Sequence, residues 1–459
     1  MDRSKQLGEG SIPALLLSFS IPAITGMIVN ALYNVVDRIF VGRGVGSQGI
    51  AGITVGFPLM IIIMAFGMLI GLGATALISI RLGEQKKEEA ELIMGNAVTL
   101  LVVISLVISV CGLIFLNPLL ELFGASKAIL PYARQYLSII LWGAAFQGIG
   151  FGMNNFIRAE GNPRIAMFTM LIGAILNTIL DPVFIFVFKM GIGGAALATI
   201  LSQMVSAAWV LYYFLGGASL LKFHLKNLKL RTPVVNKIFA IGSAPFAMQL
   251  AASLLNIILN NSLRTYGGDI AISAMGIINS IAMLILMPIF GINQGAQPII
   301  GYNYGARKFD RVKKTLGLAI TAATCVVIIG FIVTQLFPDS LIRMFNNNDM
   351  HLISLGARGL RIFLMLLPVI GFQIVSANYF QAVGKPKHAM FLSLSRQVIL
   401  LIPSLLILPR FFGLDGIFMA GPVSDAGSSI LTGIWILSEI RHLERQGSEN
   451  FALIPEAEK

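Results

Sequence analysis

Of the 459 residues only 12% are charged, 56% are hydrophobic and the mean hydropathy is +0.84, whereas a soluble chain needs roughly a quarter of its residues charged. A soluble globular protein is therefore excluded, and the lack of alternating strand-length segments excludes an outer-membrane barrel. The net charge of +12 is scattered over short loops, which fits positive-inside topology better than a nucleic-acid surface, so no nucleic-acid partner is expected.

In chain order, the N-terminal MDRSKQLGEGSIPALLLSF has basic residues but no small-residue cleavage site. It reads as the approach to a first span, not as a removable signal. Twelve apolar blocks follow, at 12–41, 50–80, 92–116, 131–157, 164–188, 192–216, 236–263, 270–302, 312–337, 353–382, 388–409 and 415–440. Each is long enough to cross a hydrocarbon core of about 30 Å as helix, and the longer ones can tilt. The expected fold is all-α integral membrane: residues 1–216 form a first six-helix lobe, 236–440 a second, and 441–459 a tail. Between the lobes, 217–235 is a basic linker. Basic residues crowd the loops on the linker's side and both tails, including Lys86, Lys87, Arg158, Arg164, Lys222, Lys226, Lys229, Arg231, Lys385 and Lys387. Both termini are therefore expected on the cytoplasmic side of a bacterial inner membrane. Cys111 and Cys325 lie in apolar blocks, and all four histidines lie in loops or at span ends. No cofactor and no intramembrane metal centre of the histidine or cysteine type is expected.

The halves match at a nearly constant offset of about 222–224 residues. LGEQK at 82–86 falls on YGARK at 304–308, Gly73-Ala74 on Gly295-Ala296, and Gly161-Asn162-Pro163 on Gly384-Lys385-Pro386. Gly191 and Gly194 fall on Gly413 and Gly416. An even number of spans per repeat gives both halves one orientation, with a pseudo-two-fold axis along the membrane normal. No G-x-x-x-x-G-K-[ST] loop is present, so ATP is not the direct energy source and a secondary transporter is the natural reading. No Asp-rich diphosphate motif, H-E-x-x-H or G-x-G-D supports an intramembrane enzyme.

A charge inside a span is costly and marks a site or a pair. Asp37 lies roughly 7 Å inside the outer end of span one, and Asp181 roughly 10 Å inside that of span five. Asn177 is four residues before Asp181 and shares its helix face. Thr199 in span six and Tyr136 in span four reach similar depth, so these side chains could meet in one polar pocket. Such oxygens suit Na⁺ or a proton. The plainer alternatives are a solvated helix end for Asp37, beside Arg38, and a structural network for Asp181. The aligned second-lobe positions are Leu259, Leu400, the Pro403–Ser404 neighbourhood and about Gly421. The pocket was not copied, which favours function over architecture; Asn155 and Asn378, which do recur, read as structural. In the second lobe Arg396 and Asp425 both sit near mid-membrane, either as an interhelical ion pair or with Asp425 facing a pathway. Pro22 and Pro245 occupy matching places in the first span of each lobe and mark paired flexible helices.

NVVDRIFVGRGVG at 34–46, RAEGNPRIAM at 158–167, NTILDPVFI at 177–185, GINQGAQPIIGYNYGARK at 291–308 and QAVGKPKHAM at 381–390 together resemble the multidrug and toxic compound extrusion (MATE) family over the whole chain. The resemblance implies export of bulky, often cationic organic compounds in exchange for Na⁺ or H⁺, by a monomer in the lipid bilayer. The family's cation site maps onto Asp37, Asn177, Asp181 and Thr199, with Asn154 as a further network member. The NorM-like branch carries acids in spans seven and ten, where this chain has Gln249 and Gln373. It looks more like the DinF/MepA-type branch. The alternative within the same superfamily is a flippase for lipid-linked oligosaccharides or peptidoglycan precursors.

Overall fold

The computed structural model describes residues 3–452 except 124, 126 and 346–348. The last residues of the expected tail, 453–459, lie outside the described residues. The spanning helices are α1 Ile12–Gly44, α2 Ser47–Gly83, α3 Lys87–Ile114, α4 Leu130–Ala159, α5 Pro163–Pro182, α6 Gly191–Leu215, α7 Thr232–Gly268, α8 Ile270–Gly305 and α9 Phe309–Leu336. Then come α10, in two pieces (Met350–Phe363 and Leu367–Ala382), α11 over 386–412 and α12 from 414. Among the described residues ten helices are long and apolar enough to cross a membrane, and the bent pair of α10 makes eleven. A non-helical Gly413 (φ 57°) divides the last of them, Pro386–Arg445, into two. The expected twelve are all present.

Span ten departs from the unbroken 353–382 expected. Its two pieces meet at 51°. Pro368 stands in the first turn of the second piece, where its missing N–H costs nothing, while its ring disfavours a helical residue before it. Proline opens α4, α5 and α11 in the same way. α5 ends in a π-helical turn, Val183–Val187, directly after Pro182, and α11 carries a second, Ser395–Leu401.

The duplication is written in the backbone. Gln85 and Arg307 both take left-handed φ (61° and 56°), as do Gly161 and Gly384 (97° and 73°). After α2, Lys86 N–H reaches Arg81 O at 2.9 Å; after α8, Lys308 N–H reaches Asn303 O at 2.9 Å. Both are Schellman closures that satisfy the last helical carbonyls. Asn155 and Asn378 each turn their amide onto the carbonyl four residues back, at 2.9 and 3.0 Å.

Packing divides the chain into two compact units. One holds Met1–Glu9 and Ile21–Phe246, the other Gly10–Ser20 and Ala247–Lys459. The span-based lobes describe the repeat; the units show that the chain passes between them inside α1 and α7, next to Pro22 and Pro245. The linker and the first half of α7 therefore pack in the first unit. There Gly73 lies so close to Ile238 O and Gly242 N, and Gly242 to Leu69 O, that a Cβ on either glycine would collide with backbone. In the second unit the start of α1 is seated the same way, a Cβ on Gly295 falling 2.7 Å from Ser20 N. Arg311 also donates to Gly10 O at 2.7 Å. The glycines that mark the repeat are thus the seats of the two half-helices.

Candidate functional site

In the first unit α4 and α5 both pack on α6. The turn of α5 before Pro182 places Asn177 and Asp181 on one face, and both are buried, Asp181 completely. Asn177 Nδ2 donates to Asp181 Oδ1 at 3.4 Å and to Thr199 Oγ1 of α6 at 3.3 Å. Thr199 in turn donates to Ala195 O at 3.0 Å, so its hydroxyl oxygen is oriented toward the amide. Asp37 of α1 is 8% exposed, which removes the solvated helix end as its description. Its carboxyl lies within hydrogen-bond reach of Asp181. Tyr136 of α4 is buried and lies beside Thr199.

Five side chains proposed from the sequence therefore meet, drawn from α1, α4, α5 and α6. Tyr33 joins them: it neighbours Asp37, Asp181 and Tyr136. It lies one helical turn before Asp37, a spacing that puts it on the same face, and that signal was available in the sequence. Val41, Ile185, Ile192, Ala195 and Ala196 form the apolar wall around the group, packed with Tyr136. Asn154 is not part of it. Its amide donates to Ala166 O at 2.9 Å, tying α4 to the first turn of α5, about 22 Å of helix away from Asp181.

Two carboxylates in contact repel by about 4 kcal/mol at an effective dielectric near 20. A proton or a small cation between them removes that cost. Asn177 Oδ1 and Asp181 Oδ2 are buried and accept no hydrogen bond from a protein N–H. The donor set is hard oxygen throughout, which fits Na⁺ and fits a shared proton equally well.

The second unit holds no such pair among its described residues. Arg396 Nε donates to Asp425 Oδ1 at 2.6 Å, and Asp425 is buried. Of the two arrangements open from the sequence, the geometry is that of an ion pair, between the π turn of α11 and α12. A second acid, Glu439, takes Lys385 Nζ on both oxygens at 2.6 Å and the Tyr379 hydroxyl at 3.2 Å. Gln373 is buried and carries no charge. A cavity between Pro338–Arg343 and the first piece of α10 is lined by Arg343, Arg358, Arg361 and Asp339. Three guanidinium groups make it a poor container for a cation.

A family model described as MatE matches residues 22–183 and again 245–406. The chain belongs to the MATE family. The two matches stand at the offset of the internal repeat. The multidrug export protein MepA of Staphylococcus haemolyticus is 27% identical over 434 residues, 95% of either chain. MepA of Staphylococcus aureus is 27% identical over 411 residues, 90% of either. Among solved structures, a ligand complex of the MATE multidrug transporter DinF-BH is 43% identical, with a TM-score of 0.88 over 94% of this chain and 96% of that one. A MATE structure in complex with MaL6 superposes with a TM-score of 0.91 at 25% identity, covering 96% and 99%. The MATE chain is thus a multi-pass membrane transporter of the DinF/MepA-like branch.

Proposed function

We propose that this MATE protein is an antiporter that exports bulky organic cations across the bacterial cytoplasmic membrane in exchange for H⁺ or Na⁺. The coupling ion is held by Asp37, Asn177, Asp181 and Thr199, with Tyr33 and Tyr136 beside them. The observation that carries this reading is the contact between two buried carboxyls supplied by different helices, α1 and α5. The relatives, a multidrug export protein and a multidrug transporter, support the cargo class.

An ion can drive transport only if it binds the two conformations unequally. Asp37 rides on α1, the helix whose first nine residues, to Ser20, belong to the other unit. Bending at Pro22 would carry Asp37 away from Asp181, and the pair would lose its affinity for the ion. Pro245 gives α7 the matching freedom. The protein acts as a monomer with both termini cytoplasmic, the orientation that places its basic loops inside.

The test is ethidium efflux from proteoliposomes under separately imposed pH and Na⁺ gradients. One gradient should drive wild-type efflux, and Asp181→Asn should abolish that response while remaining folded. Gradient-driven efflux persisting in D181N would overturn the assignment. Transport of a lipid-linked pyrophosphate with none of ethidium would favour the flippase instead.

A further inference from the structure

The linker between α6 and α7 is not a loose tether. Glu160 Oε2 accepts from Ser219 Oγ at 2.7 Å, Leu220 N at 3.0 Å and Leu221 N at 3.3 Å. Glu91 accepts from Lys222 N at 2.9 Å and pairs with His224 Nε2 at 3.2 Å. Asn96 donates to Asn227 O at 3.0 Å and Lys229 O at 3.3 Å, and accepts from Arg231 N at 2.7 Å. Thr99 donates to Leu228 O at 2.8 Å. Glu91, Asn96 and Glu160 are all buried. Buried polar groups are expensive unless bonded, and here they are spent on the backbone of a connecting segment, which fixes its shape.

That shape has an outward face of one kind. With the backbone and Asn227 turned in, Lys222, Lys226, Lys229, Arg231 and Lys237 are exposed. Among them Leu225 is 80% and Leu230 43% exposed. No acid occurs between 217 and 231, and the nearby Glu91 and Glu160 face inward. The segment runs between the ends of two spanning helices, Leu215 and Thr232, so it lies at the bilayer surface. A rigid strip of cations flanking exposed leucines is complementary to anionic headgroups over an acyl boundary.

We propose that the linker is a fixed docking strip for anionic phospholipid, with Lys226, Lys229 and Arg231 on the phosphates and Leu225 and Leu230 in the interfacial layer. This rests on the chain being a membrane protein and not on which ion or cargo it moves.

The probe is the intact protein in nanodiscs of equal phosphatidylglycerol and phosphatidylcholine, released for native mass spectrometry. Wild type should retain phosphatidylglycerol in preference, and the triple variant K226Q/K229Q/R231Q should lose at least about tenfold of that preference. L225S/L230S should weaken retention while leaving the headgroup preference in place. Glycerophosphate at the same phosphate concentration should displace nothing, and displacement would make this a small-anion site and overturn the membrane assignment. An unchanged preference in the triple variant would overturn the proposal outright. Circular dichroism and thermal melting of each variant show that any loss is not unfolding, because all five side chains lie outside the packed core.

Discussion

The two units carry the same backbone turns at the same repeat positions, yet treat buried acids in opposite ways. In the second, Asp425 has Arg396 and Glu439 has Lys385 as fixed cations. In the first, Asp37 and Asp181 lie against each other, with the Asn177 amide and the hydroxyls of Thr199, Tyr33 and Tyr136 around them. A scaffold that can neutralise its acids with its own side chains has done so in one copy. In the other, on the function proposed above, the countercharge is a coupling ion that arrives and leaves. On that proposal, duplication supplied the architecture twice and the ion chemistry once.

The sharpest way to break that contrast is to remove one acid from each unit. Asp181→Asn removes a mutual repulsion, so the protein should melt no lower than wild type while gradient-driven ethidium efflux disappears. Asp425→Asn leaves a guanidinium without its carboxylate inside the bundle. Breaking a buried pair costs about 3–5 kcal/mol, and because the Arg396 side chain is 26% exposed the lower end is expected, seen as poor yield and a lowered melting temperature. Arg396→Met combined with Asp425→Leu should recover most of that stability, since replacing both partners with apolar groups is often neutral. A well-folded D425N with lost efflux would instead give Asp425 a transport role and dissolve the contrast between the units.

A smaller effect tests the seats of the exchanged half-helices. Gly242→Ala and Gly73→Ala drive a methyl group into backbone on both sides of the first unit's seat. Overpacking typically costs about 1–3 kcal/mol, and backbone cannot yield as a side-chain tip can, so both should reach the upper end. Gly295→Ala meets Ser20 N at 2.7 Å and should cost less. Melting temperatures in detergent rank the three. Equal melting of all three variants and wild type would show that the glycines are tolerated gaps, not seats.

Much of this was legible in the sequence because membrane helices are written in long apolar blocks and intramembrane charge is rare. The twelve spans, the repeat and the meeting of Asp37, Asn177, Asp181, Thr199 and Tyr136 follow from span depth and helical spacing. Asn154 owed its place in the network to the family resemblance and not to depth, and its bond to Ala166 does not support that place. Pro368 is one of several prolines within the spans, each of which permits bending, and hydropathy carries no signal to show that this one breaks its helix by 51°. Glu91 and Glu160 escaped for a different reason. At a helix end an acid reads as surface charge, and only packing shows that both turn inward onto the linker backbone.

Glu160 gives the finest test, through pH. Burial holds its carboxyl above the ordinary glutamate range, against hydrogen bonds from Tyr213, Ser219 and the Leu220 and Leu221 amides that pull it back down. A folded-state value above the unfolded one means that the native chain binds the proton more tightly. Stability is then greatest below the ordinary glutamate value of about 4.3. It falls as pH rises through the raised value and is flat beyond it. Glu160→Gln keeps an acceptor oxygen for the linker and cannot ionise, so it should match wild type at low pH. Above the window it should exceed wild type by less than about 1 kcal/mol, given how far the hydrogen bonds offset burial. Glu160→Ala removes the acceptor, leaves the Leu220 amide unpaired and Leu221 N with Ser219 Oγ alone, and should cost about 1–3 kcal/mol at every pH. It should also raise hydrogen exchange at 219–222. Thermal unfolding from pH 4 to 8 separates the three, and a wild type that gains stability over E160Q as pH rises would show that the hydrogen bonds outweigh the burial.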